Sequence, residues 1–294
     1  MTFKVKTAAL FGAALAALAF GIGTARAIDI QAMDWTALPA DTDIAALYLL
    51  HNHNDGLRVN GTDIDGRLNA LVALGRYMRY FDVAGHRAAV TLALPVGKLS
   101  DGRIGGTRLN ESGGLGDITI ATAAWLVNEP EERRYLAFTT YFKLPTGRYD
   151  RDKPLNLGTG RYSVALQLGG QTAISERFTV EATIDGEFAR KNDDANALSQ
   201  TLKTDPAYSF QGYLSYQVTA ATTLSAGWAI YRGGDQSLDG VKTGFKTDRQ
   251  EARLAATTFL NDTTTLFGQV THDFNVTGGF KQKAGAMVRI AKLF

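Results

Sequence analysis

Gly114-Leu115-Gly116-Asp117 opens an alternating run that reaches Val127, turns at Asn128-Glu129-Pro130, and returns to Leu144-Pro145-Thr146-Gly147-Arg148-Tyr149-Asp150. In the outgoing run Ile118, Ile120, Ala124 and Leu126 share one face, with Asp117, Thr119 and Trp125 on the other. In the returning run Leu136, Phe138, Phe142 and Leu144 oppose Tyr135, Thr139, Tyr141 and Lys143. A period of two over such a length is the pattern of a strand with one apolar and one polar side. The unit is a hairpin, tightly turned at one end and leading into long polar loops at the other. The rest of the chain repeats it.

Twelve strand candidates result, near 43–51, 67–81, 86–96, 117–127, 133–144, 160–171, 177–189, 207–218, 222–232, 249–260, 263–274 and 283–294. The seventh sets Phe178, Val180, Ala182, Ile184 and Phe188 against Thr179, Glu181, Thr183, Asp185 and Glu187. Joins after even-numbered strands are short: Asp82–Gly85, Asn128–Glu132, Thr172–Glu176, Thr219–Ala221 and Asn261–Asp262. Most joins after odd-numbered strands are long and polar: 52–66, 97–116, 145–159, 190–206 and 233–248. Segregating the long loops on one rim is the habit of a transmembrane barrel, and a soluble β-protein has no reason for it. The expected fold is all-β: an antiparallel up-and-down β-barrel of about twelve strands in the bacterial outer membrane.

The ends of the chain fit that setting. Lys4 and Lys6, the apolar stretch Ala8–Ile22 and Ala25-Arg26-Ala27 make residues 1–27 a signal peptide, leaving 28–294 as the barrel. Residues 28–42 are then a periplasmic or plug segment. Losing Lys4, Lys6 and Arg26 takes Lys+Arg from 31 to 28 against Asp+Glu 29, a net charge of −1. The basic balance of the whole chain is therefore no sign of a nucleic-acid partner. Cys is 0, which excludes disulfide and thiol chemistry. Beyond the signal no apolar run is long enough for a transmembrane helix.

Phe294 closes an apolar face with Ile290, Val288, Ala286 and Ala284, the form of a signal read by the barrel-assembly machinery, although Lys292 departs from it. In the second strand Arg76 shares its parity with Leu68, Val72, Leu74 and Met78, which calls for a bulge or another boundary. Tyr48, Tyr80, Tyr135, Tyr162, Tyr208 and Tyr216 lie mostly near strand ends, where barrels carry interfacial girdles.

With Gly114-Leu115-Gly116-Asp117, Leu144 to Asp150 and Leu155-Asn156-Leu157-Gly158 in this order, the chain resembles the outer-membrane transporter family named for the MetA-pathway of phenol degradation. Members often carry an Asn-x-Trp-like step after the Asn-x-Gly, where this chain has Thr159-Gly160-Arg161-Tyr162. The resemblance implies a passive outer-membrane channel for small hydrophobic or aromatic compounds, with no catalysis and no cofactor. A structural or adhesive barrel, or a lipid-modifying enzyme, are the alternatives.

Interior chemistry centres on Tyr141, Lys143, Arg161, Asp185 and Glu187, which meet near the extracellular ends of strands five to seven; Glu181, Arg253 and Arg289 also belong to the inward set. Opposed charges across a narrow pore orient polar solutes, and they equally brace a filled lumen. Loop 97–116, with Lys98, Asp101, Arg103 and Arg108, is expected to fold inward as a constriction, its cations meeting Asp185 and Glu187. His51 and His53 lack a third ligand nearby, and Asp63-Ile64-Asp65 and Asp193-Asp194 lack the spacing of a calcium loop. No Ser-His-Asp arrangement is readable around His272. The protein should fractionate with outer membranes and migrate anomalously fast on gels unless boiled. Recovery as a soluble periplasmic protein would overturn the barrel.

Overall fold

The computed structural model describes residues 29–294, so the signal peptide expected at 1–27 lies outside the described residues. The strands are β1 (Asp43–Val59), β2 (Thr62–Val83), β3 (His86–Ile104), β4 (Thr107–Arg108), β5 (Ser112–Leu115), β6 (Thr119–Glu129), β7 (Arg134–Lys143) and β8 (Ser163–Ala173). They continue as β9 (Phe178–Ala189), β10 (Leu202–Thr204), β11 (Ala207–Gln217), β12 (Thr222–Gly233), β13 (Gln236–Leu238), β14 (Val241–Lys242), β15 (Asp248–Asn261) and β16 (Thr264–Leu293).

Eleven of these pair antiparallel in a closed ring, β1-β2-β3-β6-β7-β8-β9-β11-β12-β15-β16, and β16 returns to β1. The last element is 30 residues long and bends back on itself. Gly278 pairs with Asp248 of β15 while Gly279 pairs with Arg58 of β1. Its two ends meet at one rim, where Leu293 N donates to Thr263 O at 2.8 Å. Gly279, at φ 90, supplies the turn. The wall is therefore crossed twelve times, in agreement with the alternation.

Closure satisfies the backbone without water, and alternation sorts the side chains. Leu126, Phe138, Leu166, Ile184, Phe210, Leu214, Leu254, Val270, Val288 and Ile290 are exposed on the outer face. Their neighbours Trp125, Ala137, Gln167, Thr183, Gln211, Arg253 and Met287 are buried inside. An apolar outside around a polar inside is stable only in a bilayer.

Four sequence expectations change. Strands β1 and β2 run through the supposed loop 52–66 to a two-residue turn at Asn60-Gly61, with φ 51 and 74. Asn-Gly favours that mirror-image turn, so the strands project beyond the membrane as a ribbon. The 97–116 loop is likewise mostly strand: β3 runs to Ile104 along β2, and β4 and β5 fold back against it. Register between β1 and β2 is continuous from Asp43↔Arg79 to Asp55↔Arg67, so no bulge is needed at Arg76. Finally, Tyr48, Tyr80 and Tyr135 are buried in the lumen rather than in a girdle, whereas Tyr162 and Tyr208 are exposed on the outer face.

Ile184→Arg or Leu166→Arg should destabilise the inserted barrel by about 2–4 kcal/mol, because those positions meet hydrocarbon near mid-wall. Urea titration of the protein refolded in lipid vesicles measures this. A cost near zero would mean that the faces are inverted.

Candidate functional site

The N-terminal segment enters the lumen and is held there by its own backbone. Ile30 N donates to Gln211 Oε1 at 3.2 Å, and Ile30 O accepts from Tyr213 OH at 3.2 Å and Arg253 Nη1 at 3.1 Å. Met33 N donates to both carboxylate oxygens of Glu181 at 2.9 Å. Trp35 donates from its indole to Thr183 Oγ1 at 2.9 Å, while its carbonyl accepts from the Trp125 indole at 2.9 Å. Below these, Gln171 Nε2 donates to Thr36 Oγ1 at 3.0 Å, and Arg87 donates to Leu38 O. A chain without neighbouring strands must find partners for its peptide groups elsewhere, and the inward polar side chains supply them. Bonds to charged groups are worth about 1.5–3 kcal/mol against 0.5–1.5 for neutral ones, so Glu181 and Arg253 are the main anchors.

Shape fits as well as polarity. Gly169 of β8 lies under the Trp35 ring, where a Cβ would come within 2.1 Å of Cζ2. Ile30, Ala32, Trp35 and Ala37 share a buried cluster with Tyr48, Tyr80, Trp125, Tyr135, Tyr213 and Phe267.

Around this plug the lumen has two unlike arcs. On one, from β8 round to β16, the polar residues form networks. Lys143 Nζ and Ser163 Oγ both donate to Glu187 Oε1, at 3.1 and 2.8 Å, and Ser209 and Gln211 donate to Asp185. Tyr141 OH donates to Gln167 at 2.9 Å, and Arg161 Nη1 donates to Thr204 at 2.7 Å. Arg249 bridges Glu251 and Asp273, and Arg253 bridges Glu251 and Asp29, with Tyr231 stacked 4.1 Å from the Arg249 guanidinium. All eight interior residues singled out in the sequence, Tyr141, Lys143, Arg161, Glu181, Asp185, Glu187, Arg253 and Arg289, point inward. Tyr213, Tyr231, Arg249, Glu251 and Asp273 belong with them, on the same inward parity of their strands, and Asp29 of the N-terminal segment joins them through Arg253.

The other arc, on β1, β2, β3, β6 and β7, is largely apolar and leaves space. A cavity of about 360 Å³ lies toward the periplasm and spans both arcs, with Leu38, Ile44, Met78 and Tyr80 on one side and Thr179, Ser215, Thr223, Thr257 and Arg289 on the other. A second of about 230 Å³ runs on past Leu74, Ala93, Pro95, Ala121 and Trp125. Asp34, Tyr48, Arg76, Met78 and Tyr80 border both, so the two meet there. Leu74 and Met78 look inward because this arc is greasy, with Arg76, Thr91, Thr119, Thr139 and Tyr141 as polar members among them.

Above the wall, the three glycine-bearing motifs converge on one carboxylate. Asp117 accepts from Gly147 N at 2.9 Å, Thr159 N at 2.8 Å and Thr159 Oγ1 at 2.6 Å. Gly158 packs on Gly147, and Gly147 on Gly116, so closely that an added Cβ would approach backbone at 2.6 Å in each case. Asn156 ties the rest of that loop by accepting from Asp150 N at 2.8 Å.

That clasp carries the motifs of a family match over residues 52–290, to the family described as "Putative MetA-pathway of phenol degradation". The chain belongs to this family. It is 27% identical to the COG4313 outer membrane channel from Pseudomonas putida F1, with a TM-score of 0.85, covering 90% of this chain and all of that one. The translocator domain of the autotransporter NalP from Neisseria meningitidis shares the fold at 14% identity and TM-score 0.52, over 87% and 89% of the two chains. The transport unit of AIDA-I from Escherichia coli does so at 8% identity and TM-score 0.53, over 97% and 96%. No curated protein matches.

In this family member the constriction residues sit apart from the carboxylates expected to receive them. Lys98 pairs with Glu111 at 2.7 Å and Asp101 with Arg67 at 3.7 Å, while Arg103 and Arg108 are exposed. Asp185 and Glu187 take their donors from the wall instead. The loop stays up because Leu99, Ile104 and Leu109 are buried against Leu57, Leu68, Leu155 and Phe245 outside the membrane. Burial of Tyr149, whose OH donates to Ala195 O at 2.6 Å, raises its pKa and fastens a neighbouring loop. The acidic loops are engaged in ion pairs: Asp63 with Arg58, Asp193 with Lys191, Asp194 with Arg151. His51 is exposed on the outer wall, and His53 Nδ1 meets Asn69 Oδ1 at 2.7 Å.

Gly169→Ala should unseat Trp35 while leaving the outer face untouched. Red-shifted indole emission and faster proteolysis of the N-terminal segment, with an unchanged heat-modifiable band, are the expected readouts.

Proposed function

We propose that this protein is a passive outer-membrane channel for small hydrophobic and aromatic solutes, held closed by residues 29–38. The observation that carries the reading is the pair of joined cavities, walled on one side by the apolar arc, beside a plug bonded to the polar arc. Water and ions meet the polar networks, most of whose groups are bonded to one another. A small apolar molecule meets Leu38, Leu74, Met78, Tyr80 and Trp125 instead, side chains with which it can exchange contacts without breaking hydrogen bonds.

The family and the likeness to a solved outer membrane channel support this reading over an enzyme or an adhesive barrel. Pore-lining roles fall to Tyr141, Lys143, Arg161, Glu181, Asp185, Glu187, Arg253 and Arg289, with Glu181 and Arg253 acting chiefly on the plug. Phe294, largely exposed beside the β1–β16 seam, is the residue we assign to recognition by the assembly machinery.

Deleting residues 29–38 and refolding the barrel into planar bilayers should raise single-channel conductance severalfold over the parent. Vesicles carrying the deletion should also take up a neutral aromatic alcohol faster. Equal conductance of the two proteins would show that the barrier lies elsewhere, in the loops or the wall.

A further inference from the structure

The periplasmic cavity is lined by four cations and one carboxylate. Arg76, Arg133, Arg177 and Arg289 face it against Asp34 alone. Asp34 is already occupied, accepting from Gln31 N at 3.1 Å and from Arg289 Nη1 at 3.3 Å. Arg133 and Arg177, near the rim, donate to the Ser175 carbonyl and to Tyr216 OH, neither of which carries a charge. Deep in the wall, Arg76 donates from Nη1 to Tyr48 OH at 3.2 Å, and it has no other hydrogen bond or ion pair among the described residues. Arg289 Nε is buried without a partner.

A guanidinium offers five N–H donors in a planar fork that matches a carboxylate edge-on. The rest of the Arg76 fork faces the space of the two cavities rather than protein acceptors, so a bound anion can take up those donors. The rest of the cavity sets the other half of the ligand. Leu38, Ile44, Ala46 and Met78 give it apolar walls, and Tyr48 and Tyr80 give it rings. Inorganic phosphate satisfies the charge but not these walls; a neutral phenol satisfies the walls but not the four guanidinium groups.

We infer that this cavity binds a small aromatic carboxylate, its carboxylate on the Arg76 fork and its ring against Met78, Tyr80 and Leu38. The inference rests on the channel reading and names its substrate class. Arg289, held by Gln31 and Asp34 of the plug, is the second cation within the cavity. An entering carboxylate competes with Asp34 for it, so the ligand loosens a plug contact as it binds.

The test is calorimetric titration of the folded full-length barrel in detergent with benzoate and with benzyl alcohol, its neutral counterpart. Benzoate should bind the tighter. Arg76→Gln should weaken benzoate about tenfold, the order expected for one lost charge-assisted hydrogen bond. Arg76→Lys should keep part of the preference, and Arg289→Gln should reduce it separately. A heat-modifiable band verifies that each variant is folded. Equal affinity for the two probes, or benzoate affinity unchanged in Arg76→Gln, overturns the inference. Vesicle flux separates the two readings: benzoate that binds but does not cross, with or without residues 29–38, upholds the binding site and refutes the channel.

Discussion

Everything in this molecule depends on the seam where the last strand meets the first. Within hydrocarbon no peptide group can turn to water, so an open sheet edge would cost several kcal/mol for each unpaired group. The seam removes that edge along its whole length, from Ile44↔Leu293 to Arg58↔Gly279. Two register shifts near Asn54 lie at its outer end, close to the headgroup region. Side-chain sorting, and with it a lumen of any kind, follows only because the ring is closed.

Closure leaves a barrel of intermediate width, and the chain fills it asymmetrically. The plug takes the polar arc, where Glu181, Gln211 and Arg253 meet its peptide groups and Thr183 accepts from its Trp35 indole. The free volume lies between the plug and the greasy arc, and opens to both arcs at the periplasmic end. Neither arc alone would make a selective path. A uniformly polar lumen of this size would collapse into ion pairs, as Arg249, Glu251, Arg253 and Asp273 already do.

The wall was legible because period-two alternation is local, and each hairpin declares its own faces. Short turns were legible for the same reason. Asn60-Gly61 shows how a local signal is overridden by expectation: the dipeptide announces a hairpin, but a polar stretch between strands reads as a loop. Arg76 and the inward tyrosines were harder. Rules for barrel interiors assume a wet lumen, and here one arc is apolar, so Leu74, Met78, Tyr48 and Tyr80 break the expected sorting. The plug contacts were beyond reach, since Met33 meets Glu181 and Gln31 meets Arg289 across separations of 148 and 258 residues. The sequence allows residues 28–42 inside the pore, but nothing in it sets the depth of insertion. Asp117 is the instructive middle case: its motifs were visible as family marks, while their common hub appears only when three loops are brought together.

The position of the plug also dictates an order of events. Residues 29–38 emerge from export before any of the wall that holds them, yet their anchors include Arg253 and Arg289 in the final two hairpins. Until those segments arrive, the leader has few of its partners. It must either wait in the periplasm for a finished cylinder and then climb inside, or be enclosed as the last strands zip onto the first. Both routes make seating the plug a late, long-range step, kinetically distinct from folding of the wall. A barrel can thus be complete by every spectroscopic measure of sheet and still be unsealed. On the channel reading proposed above, the interval between closure and seating is one in which the lumen stands open.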